Sequence, residues 1–335
     1  MLLCSERSGS NLITRLFDAH PDVCGPAPTH LGSDLLGNLH RYMDWRGADR
    51  DDFLTDFLDL FNAKLGHWSF QPDAAWLERV FDAGGPVGAY LELYAEEARQ
   101  HGKSRIFIKE NRTYRWAPLL RMRRRSIRWV YLVRDPRDMA LSWKRAPALR
   151  GGVLRAAENW STDQECFLTL VAQLAAEGED AIPMARYESL VDDPEAVLTR
   201  LCSALDLPYA PEMLRFHESD INRRQAKTVE EWRNLSRPPL RGNHGKYREA
   251  LKPREISCIE NLCGEAMAAI GYRRESPVVD GEALETLLEE IRLGEPWEKP
   301  SYLDRPAEER ELRHRQHEVF QRIRNRPLSC PPAPG

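Results

Sequence analysis

Within its first seventeen residues the chain passes from an apolar run, through a turn of small residues, into a helical repeat. Residues 2–4 read Leu-Leu-Cys, which is typical of a strand covered on both faces. Residues 6–11 read Glu-Arg-Ser-Gly-Ser-Asn and predict a tight turn. Residues 12–17 then repeat apolar side chains at helical spacing. This order indicates a βα unit, in which a strand leads directly into a helix.

Three more apolar runs predict further strands, at residues 105–108, 128–133 and 181–186, the last weakened by Pro183. Helical patterns lie between them, and the longest such region covers residues 51–102. Strands that alternate with helices predict an α/β fold. We therefore expect a three-layer sandwich around a mostly parallel central sheet.

The 335 residues are enough to bury a sizeable core. We predict one domain over residues 1–275, with a helical insertion at about 32–103. Residues 276–335 turn polar and predict a C-terminal helical extension that ends in a flexible tail. Its last helix is expected at 307–324, exposed to solvent.

Charge and composition exclude several classes of protein. The net charge of −4 argues against a general nucleic-acid binder, and the basic run at 121–128 is interpreted as the solvated end of a helix. No apolar run approaches the ~20 residues of a membrane helix, and the start lacks a signal-peptide pattern, so we expect a cytoplasmic protein. The seven cysteines are scattered without metal-ligand spacing, which predicts free thiols and no metal site.

The first turn has the composition of an anion-binding cradle. In a parallel sheet, ligands bind beyond the carboxyl ends of the strands, where a turn and a helix start present unpaired N–H groups. Here Gly9 lets the backbone approach a ligand, Ser8, Ser10 and Asn11 can donate hydrogen bonds, and Arg7 adds positive charge. The cradle is P-loop-like, but it lacks the lysine and spacing of a Walker A loop, so the expected anion needs no metal bridge. An ordinary turn with a serine helix cap is the alternative.

A second segment repeats this design at the end of the strand predicted at 128–133. Arg134 ends the strand, and Ser142 lies two turns along the following helix. The pair can clamp a second phosphate away from the first. The alternative is a surface ion pair between Arg134 and Asp138, which would contribute little.

Together the two segments resemble the sulfotransferases that use 3′-phosphoadenosine 5′-phosphosulfate (PAPS). In that family the first turn, Arg7 to Asn11 here, holds the 5′-phosphosulfate, and the Arg134–Ser142 segment holds the 3′-phosphate. Residues 7–23 look more like the tyrosylprotein and related bacterial branches than the cytosolic small-molecule branch. The resemblance implies PAPS as cofactor, 3′,5′-ADP as product and no metal.

Three further motifs extend the resemblance to about residues 1–272. Residues 106–109 resemble the family's strand that ends in a lysine, here Lys109. Residues 187–190 resemble its Tyr-Glu-x-Leu segment, whose tyrosine, here Tyr187, lies near adenine. Residues 241–248 resemble its C-terminal loop, which closes on the 3′-phosphate and begins here with Arg241 and Gly242.

The resemblance also implies catalytic roles. Arg7 and Lys109 are candidates to stabilise the charge that grows on the bridging oxygen as the nucleotide leaves. The cytosolic branch has a catalytic histidine where this chain has Asn111. The tyrosylprotein branch has a glutamate where residues 24–28 read Cys-Gly-Pro-Ala-Pro. His30, the nearest titratable group in that loop, and Glu110 are therefore the two candidates for the general base.

The expected function is transfer of a sulfuryl group from PAPS to a hydroxyl or amine. A P-loop kinase-like phosphotransferase and a non-catalytic nucleotide-binding protein are the alternatives. The acceptor stays open among small molecules, glycans, lipids and peptides, as does the oligomeric state. Four aromatic residues in the helical insertion are expected in the core, with an aromatic acceptor pocket as the alternative: Trp45, Trp68, Phe70 and Trp76.

Overall fold

The computed structural model describes residues 1–121, 127–178, 181–219, 235–297 and 305–328. Most of the predicted basic run, at 122–126, and the end of the predicted tail, at 329–335, lie outside the described residues. Among the described helices, none is both long and apolar enough to cross a membrane.

Five short parallel strands form the centre of the fold. They are β1 (Leu2–Cys4), β2 (Val23–Cys24), β3 (Arg105–Ile106), β4 (Val130–Val133) and β5 (Met184–Arg186). β4 lies between β1 and β5, and β2 pairs with β3. A bridge between Leu2 and Lys109 joins the two sets, and the Leu2 amide donates to the Ile108 carbonyl at 3.0 Å. The strand order is therefore β2-β3-β1-β4-β5.

This register brings the functional motifs to one edge of the sheet. Leu3 faces Tyr131, and Leu132 faces Ala185, so β1, β4 and β5 end at the same level. β5 lies at the edge of the sheet, so Pro183, which has no N–H, does not remove a hydrogen bond between strands. The Pro183 carbonyl still accepts from the Tyr131 amide at 3.0 Å.

Helices cover both faces of the sheet. They are α1 (Ser10–Asp18), α2 (Arg50–Asn62), α3 (Ala74–Gln100), α4 (Ala117–Arg121), α5 (Pro136–Lys144), α6 (Gly152–Ala176), α7 (Tyr187–Asp192), α8 (Pro194–Ala204), α9 (Tyr247–Ala250), α10 (Pro253–Ile270), α11 (Gly281–Gly294) and α12 (Ala307–Asn325). Leu31–Leu35 forms one π-helical turn, and short 3₁₀ turns follow at Leu36–Arg41, Thr113–Arg115 and Pro211–Glu218.

Two buried clusters fill the space on either side of the strands. Leu3, Tyr131 and Val133 face the cluster that contains α2, α3, α5, α6 and α10. Leu2 and Leu132 face the opposite cluster, formed mainly by α1, α7 and α8. Alternating side chains of one strand therefore enter different layers. The predicted α/β sandwich with a parallel sheet is confirmed.

The helical insertion is built around aromatic packing. The predicted helical region 51–102 forms α2 and α3, and α3 bends where Gly85 has a φ of +64° and precedes Pro86. The Trp68 indole is buried and donates to the Ala27 carbonyl at 2.9 Å. Trp45 contacts Phe81, with ring centroids 5.6 Å apart, and Phe70 likewise contacts Trp76 at 5.0 Å. Trp68 thus lies in the core, as expected, and the other three rings are partly buried and pack against it.

The last helix departs from its prediction. Both C-terminal helices lie where expected, but α12 is not a solvated helix. Val319 and Ile323 are buried, and Arg322 and Arg326 form ion pairs with Asp56 of α2. α12 is mostly polar, but Val319 and Ile323 lie four positions apart on one face, and this face is the one that is buried. The boundary at residue 275 stays a prediction.

Candidate active site

The cradle is a strained turn between β1 and α1. Arg7 and Gly9 both adopt the left-handed conformation, with φ of 65° and 91°. The Ser8 hydroxyl donates to the Ser5 carbonyl at 2.6 Å and closes the turn. Gly9 is the N-cap of α1, and as a glycine it has no side chain to cap the first N–H groups of the helix. These donors remain available to an anion, which is helped by the positive end of the helix dipole.

Tyr187 packs directly on this turn. It is the first residue of α7, immediately after β5. A Cβ at position 9 would lie 2.3 Å from Cδ2 of the tyrosine ring. Only glycine fits between the turn and the ring, so Gly9 is required by packing as well as by its φ.

The second predicted segment lies beside the first. Arg134 donates from Nη1 to the Arg7 carbonyl at 3.1 Å, and its guanidinium stacks 4.3 Å from the Tyr187 ring centroid. Arg7 in turn donates from Nε to Ser142 Oγ at 3.2 Å. The structure therefore brings Arg7, Gly9, Arg134, Ser142 and Tyr187 together at one edge of the sheet.

The alternative interpretation of Arg134 is wrong. Asp138 is buried and accepts from the Gly245 and Tyr247 amides, at 2.5 and 3.1 Å. In the described part of the chain it forms no ion pair with Arg134. Instead, the buried Nε of Arg134 has no hydrogen-bond partner there. An orphaned guanidinium N–H beside the cradle fits a ligand oxygen.

The C-terminal loop is fastened over these two corners. The Gly242 amide donates to Asp192 at 3.1 Å, and Asn243 Nδ2 donates to the Tyr187 hydroxyl at 2.6 Å. Together with the amides bound by Asp138, these bonds attach residues 242–247 to α5 and α7. The backbone of Gly242 is therefore held beside the two corners, whereas the side chain of the adjoining Arg241 is exposed.

Arg137, which the sequence did not single out, orients α5. Its side chain is buried and donates to Asp135 at 2.6 and 2.9 Å and to Glu260 of α10 at 2.6 Å. Because Asp135 caps α5, this network fixes the start of the helix that carries Ser142. The "Arg-Asp-Pro-Arg" motif contained the residue, but its role depends on a partner 123 positions away.

Lys109 approaches the cradle from the neighbouring strand segment. Its side chain is buried and lines a small cavity with Asn11, Thr14 and residues 26–28. Within the described residues its ammonium donates no hydrogen bond. Burial raises the pKa of the Cys4 thiol to about 11, and the positive charge of Lys109 acts in the opposite direction. Lys109 thus places an unpaired cation beside the end of β1.

Glu110 is a structural carboxylate. Its Oε1 accepts four hydrogen bonds of 3.0 Å, from the Thr29 amide and hydroxyl, the His30 amide and the Tyr94 hydroxyl. It is fully buried, and burial raises its pKa. These contacts hold the turn that precedes the π-helical turn, whereas the buried Oε2 of Glu110 has no hydrogen-bond partner among the described residues.

His30 begins that turn in a left-handed conformation, with φ of 66°. Burial, followed by the charges of Lys109 and Arg313, lowers the pKa of its ring to about 4. The imidazole is therefore neutral at pH 7 and a weak proton acceptor.

A polar cavity of about 110 Å³ opens between the cradle and this turn. It contains two carboxyl groups that sequence reasoning missed. Burial raises the pKa of Asp34 to about 7 and that of Asp163 to about 6. No motif marks either residue, because the cavity arises from long-range packing. The remaining lining residues are Ser5, Glu6, His30, Ser33, Asn111, Arg112, Met139, Trp143 and Asn159.

Comparisons with known proteins agree with this geometry. A family model described as "Sulfotransferase family" matches residues 1–211. A putative protein-tyrosine sulfotransferase of Caenorhabditis briggsae is 25% identical over 221 residues, covering 63% of this chain and 66% of that protein. Human carbohydrate sulfotransferase 6 is 25% identical over 323 residues, covering 82% and 80% of the two chains.

A solved structure shows the same fold. The sulfotransferase domain from the Synechococcus PCC 7002 olefin synthase superposes with a TM-score of 0.57 at 18% identity, covering 81% of this chain and 94% of that domain. The matches favour sulfuryl transfer over a kinase-like reaction or a non-catalytic role. Because the family match covers more than half of the chain, including the turns after β1 and β4, the protein belongs to the sulfotransferase family.

Proposed function

We propose that this sulfotransferase uses PAPS as donor, sulfates a hydroxyl or amine of its acceptor, and releases 3′,5′-ADP. The observation that carries the proposal is the contact between the two corners. Arg7 reaches Ser142, and Arg134 reaches the backbone of Arg7. An adenine nucleotide with an anionic group at each end needs two anion sites close to each other, and two neighbouring corners at the carboxyl edge of the sheet can provide them.

The residues present fit this donor. The Ser8–Asn11 turn and the start of α1 would hold the 5′-phosphosulfate, with Gly9 leaving room for it. Arg134, Ser142 and the loop at Arg241 and Gly242 would hold the 3′-phosphate. Tyr187 offers an aromatic face beside both corners for the adenine. When bound, PAPS supplies an activated sulfuryl group.

Arg7 and Lys109 supply positive charge where the leaving phosphate becomes more negative. Arg7 is held by Ser142, and Lys109 is buried beside the cradle. Both cations are positioned before the reaction begins, and such preorganised groups lower a barrier more than mobile ones do. Sulfuryl transfer resembles phosphoryl transfer in depending on positioning and charge neutralisation.

The acceptor is a peptide tyrosine or a carbohydrate hydroxyl, because the relatives of this chain include a putative protein-tyrosine sulfotransferase and a carbohydrate sulfotransferase. Both place a hydroxyl on a polar framework, and the cavity beside the cradle is lined mostly by polar side chains.

Turnover of PAPS in excess chelator tests the function. The purified protein is incubated with PAPS and either a tyrosine peptide or a panel of sugars, and 3′,5′-ADP is measured. We expect product without added metal, since no phosphate-bridging Mg²⁺ is proposed. Transfer from ATP that requires Mg²⁺, with none from PAPS, would support the kinase-like alternative instead.

A further inference from the structure

Asp34 is one of three carboxyl groups that line the polar cavity, with Glu6 and Asp163. Ser5 and Glu6, which begin the cradle turn, line the same cavity. An acceptor in this cavity therefore lies beside both Asp34 and the start of the cradle turn.

The elements around Asp34 hold it in place. It belongs to the π-helical turn Leu31–Leu35, a rare geometry found mainly at functional sites. Glu110 fixes the start of this turn by accepting from the amides of Thr29 and His30. The left-handed His30 at its beginning stores backbone strain, which also concentrates at functional sites.

Within the described part of the chain, the Asp34 carboxylate accepts one hydrogen bond, from the neighbouring serine. Ser33 Oγ donates to Oδ1 at 3.1 Å, and among the described residues Asp34 forms no ion pair. The charged groups that influence it are Glu110, which disfavours its ionised form, and Arg112 and Arg115, which favour that form. Across the cavity it faces Glu6, His30 and Asp163.

The competing groups are less suited to the role. Oε1 of Glu110 is saturated by four donors, and its Oε2, which has no partner among the described residues, is buried away from the cavity, which Glu110 does not line. The His30 ring is a weak base at neutral pH. Asp163 accepts hydrogen bonds from the Ser5 and Tyr114 side chains, which stabilise its charge and weaken it as a base.

We infer that Asp34, rather than His30 or Glu110, is the general base that takes the proton from the acceptor. This inference rests on the proposed function. In the step, the acceptor oxygen or nitrogen forms a bond to sulfur while the bond from sulfur to the bridging oxygen breaks. The electron pair of that bond leaves with the phosphate of 3′,5′-ADP. The acceptor's proton passes to the Asp34 carboxylate, which later releases it to water.

The pH profile of Asp34→Asn tests this assignment. The wild-type kcat/KM for PAPS turnover is expected to rise with pH through an acidic limb near 7, because only the ionised carboxylate accepts the proton. In Asp34→Asn the limb should disappear and kcat/KM should fall by ~100-fold or more. Asp163→Asn is the matched comparison: it removes the other carboxyl of raised pKa in the cavity and should keep the limb.

The acceptor probes are a tyrosine peptide, a sugar panel and water, the last followed as PAPS hydrolysis. Thermal shift with 3′,5′-ADP checks that each variant is folded and binds nucleotide, and Asp34→Ala serves as a second variant. The assignment would be overturned if Asp34→Asn kept the acidic limb of the kcat/KM profile. It would also be overturned if that limb disappeared in Asp163→Asn or Glu6→Gln instead. A wild-type protein that binds 3′,5′-ADP but turns over no probe would also contradict it, whereas failure to bind 3′,5′-ADP would contradict the proposed function itself.

Discussion

At Gly9, backbone conformation and side-chain packing both exclude a larger residue. The φ of 91° disfavours any Cβ, and the Tyr187 ring occupies the space a Cβ needs. Gly9→Ala should therefore lose about 1–3 kcal/mol of unfolding free energy through strain and overpacking. It should also weaken 3′,5′-ADP binding, because the ring must move away from the cradle. Urea unfolding and thermal shift measure the two effects.

Gly102→Ala is the matched control for this prediction. Gly102 also has a positive φ, of 64°, but a Cβ there would meet no atom within 4 Å. It should lose only about 1 kcal/mol, from strain alone, and leave nucleotide binding unchanged. Equal losses in the two variants would show that the Tyr187 contact is not what requires glycine.

Arg7→Ala and Lys109→Ala test the proposed charge stabilisation. Each variant should fold and lose ~100-fold or more in turnover, since one preorganised donor contributes about 3 kcal/mol to lowering a barrier. Arg292→Ala, which removes an exposed arginine of α11, is the control and should stay within about threefold of wild type. Unchanged turnover in Arg7→Ala or Lys109→Ala would remove that residue from the role.

At the residue scale, local motifs predicted the cradle but not its supports. Arg7, Gly9, Arg134 and Ser142 were identified because their spacing from a strand end is visible in the sequence. Asp34 and Arg137 follow no such spacing, because a cavity or a distant partner defines their function. His30 and Glu110 were proposed as bases from their position, and packing argues for structural roles instead. Their catalytic roles are settled only by kinetics.

At the scale of elements, α12 is a strap across α2. Asp56 of α2 is fully buried and accepts from the Tyr42 hydroxyl as well as from Arg322 and Arg326. The strap also reaches the site, since the charge of Arg313 acts on His30. A segment beyond the family match, which ends at residue 211, thus contributes to the surroundings of the cavity.

Asp56→Ala should break this strap. It leaves the buried Tyr42 hydroxyl without its acceptor and removes one of two carboxylate partners from each arginine, which should cost about 1–3 kcal/mol. Asp59→Ala is the control, because Asp59 pairs with the same Arg322 but is 42% exposed. It should cost less than about 1 kcal/mol. If urea unfolding gave similar losses for both variants, the strap would not depend on the buried carboxylate.

Element boundaries were harder to predict than element types. The strand predicted at 128–133 begins only at Val130, and the strand predicted at 105–108 ends at Ile106. The π-helical turn had no signal, because its geometry depends on the left-handed His30 and on Glu110, 80 residues away.

At the scale of the whole molecule, buried titratable groups make stability depend on pH. His30 has a folded pKa of about 4, below its unfolded value of ~6.5, so its neutral form favours the fold. That contribution is present above pH 6.5 and is lost as pH falls towards 4. The wild type should lose up to about 3 kcal/mol from this group between pH 6.5 and 4.

His30→Asn isolates this effect, because asparagine tolerates the left-handed backbone and does not titrate. The difference in unfolding free energy between wild type and variant should shrink as the pH falls from 6.5 to 4. A pH-independent difference for His30→Asn would mean that its ring is not held neutral by the fold.

Two whole-molecule properties stay predictions: the domain boundary at 275 and the cytoplasmic location. The fold itself was predictable because four apolar runs, separated by helical patterns, permit few arrangements other than a parallel sheet. That arrangement also explains how motifs more than a hundred residues apart meet at one edge.

Selective binding of 3′,5′-ADP tests the central claim, that two neighbouring corners hold the two ends of one nucleotide. Thermal shift is measured with 3′,5′-ADP, ADP and AMP at equal concentrations, on wild type and Arg134→Ala. A ligand that binds only the folded state raises Tm by mass action. We predict a clearly larger rise with 3′,5′-ADP, and loss of that preference in Arg134→Ala. Equal rises with all three nucleotides on the wild type would contradict the account.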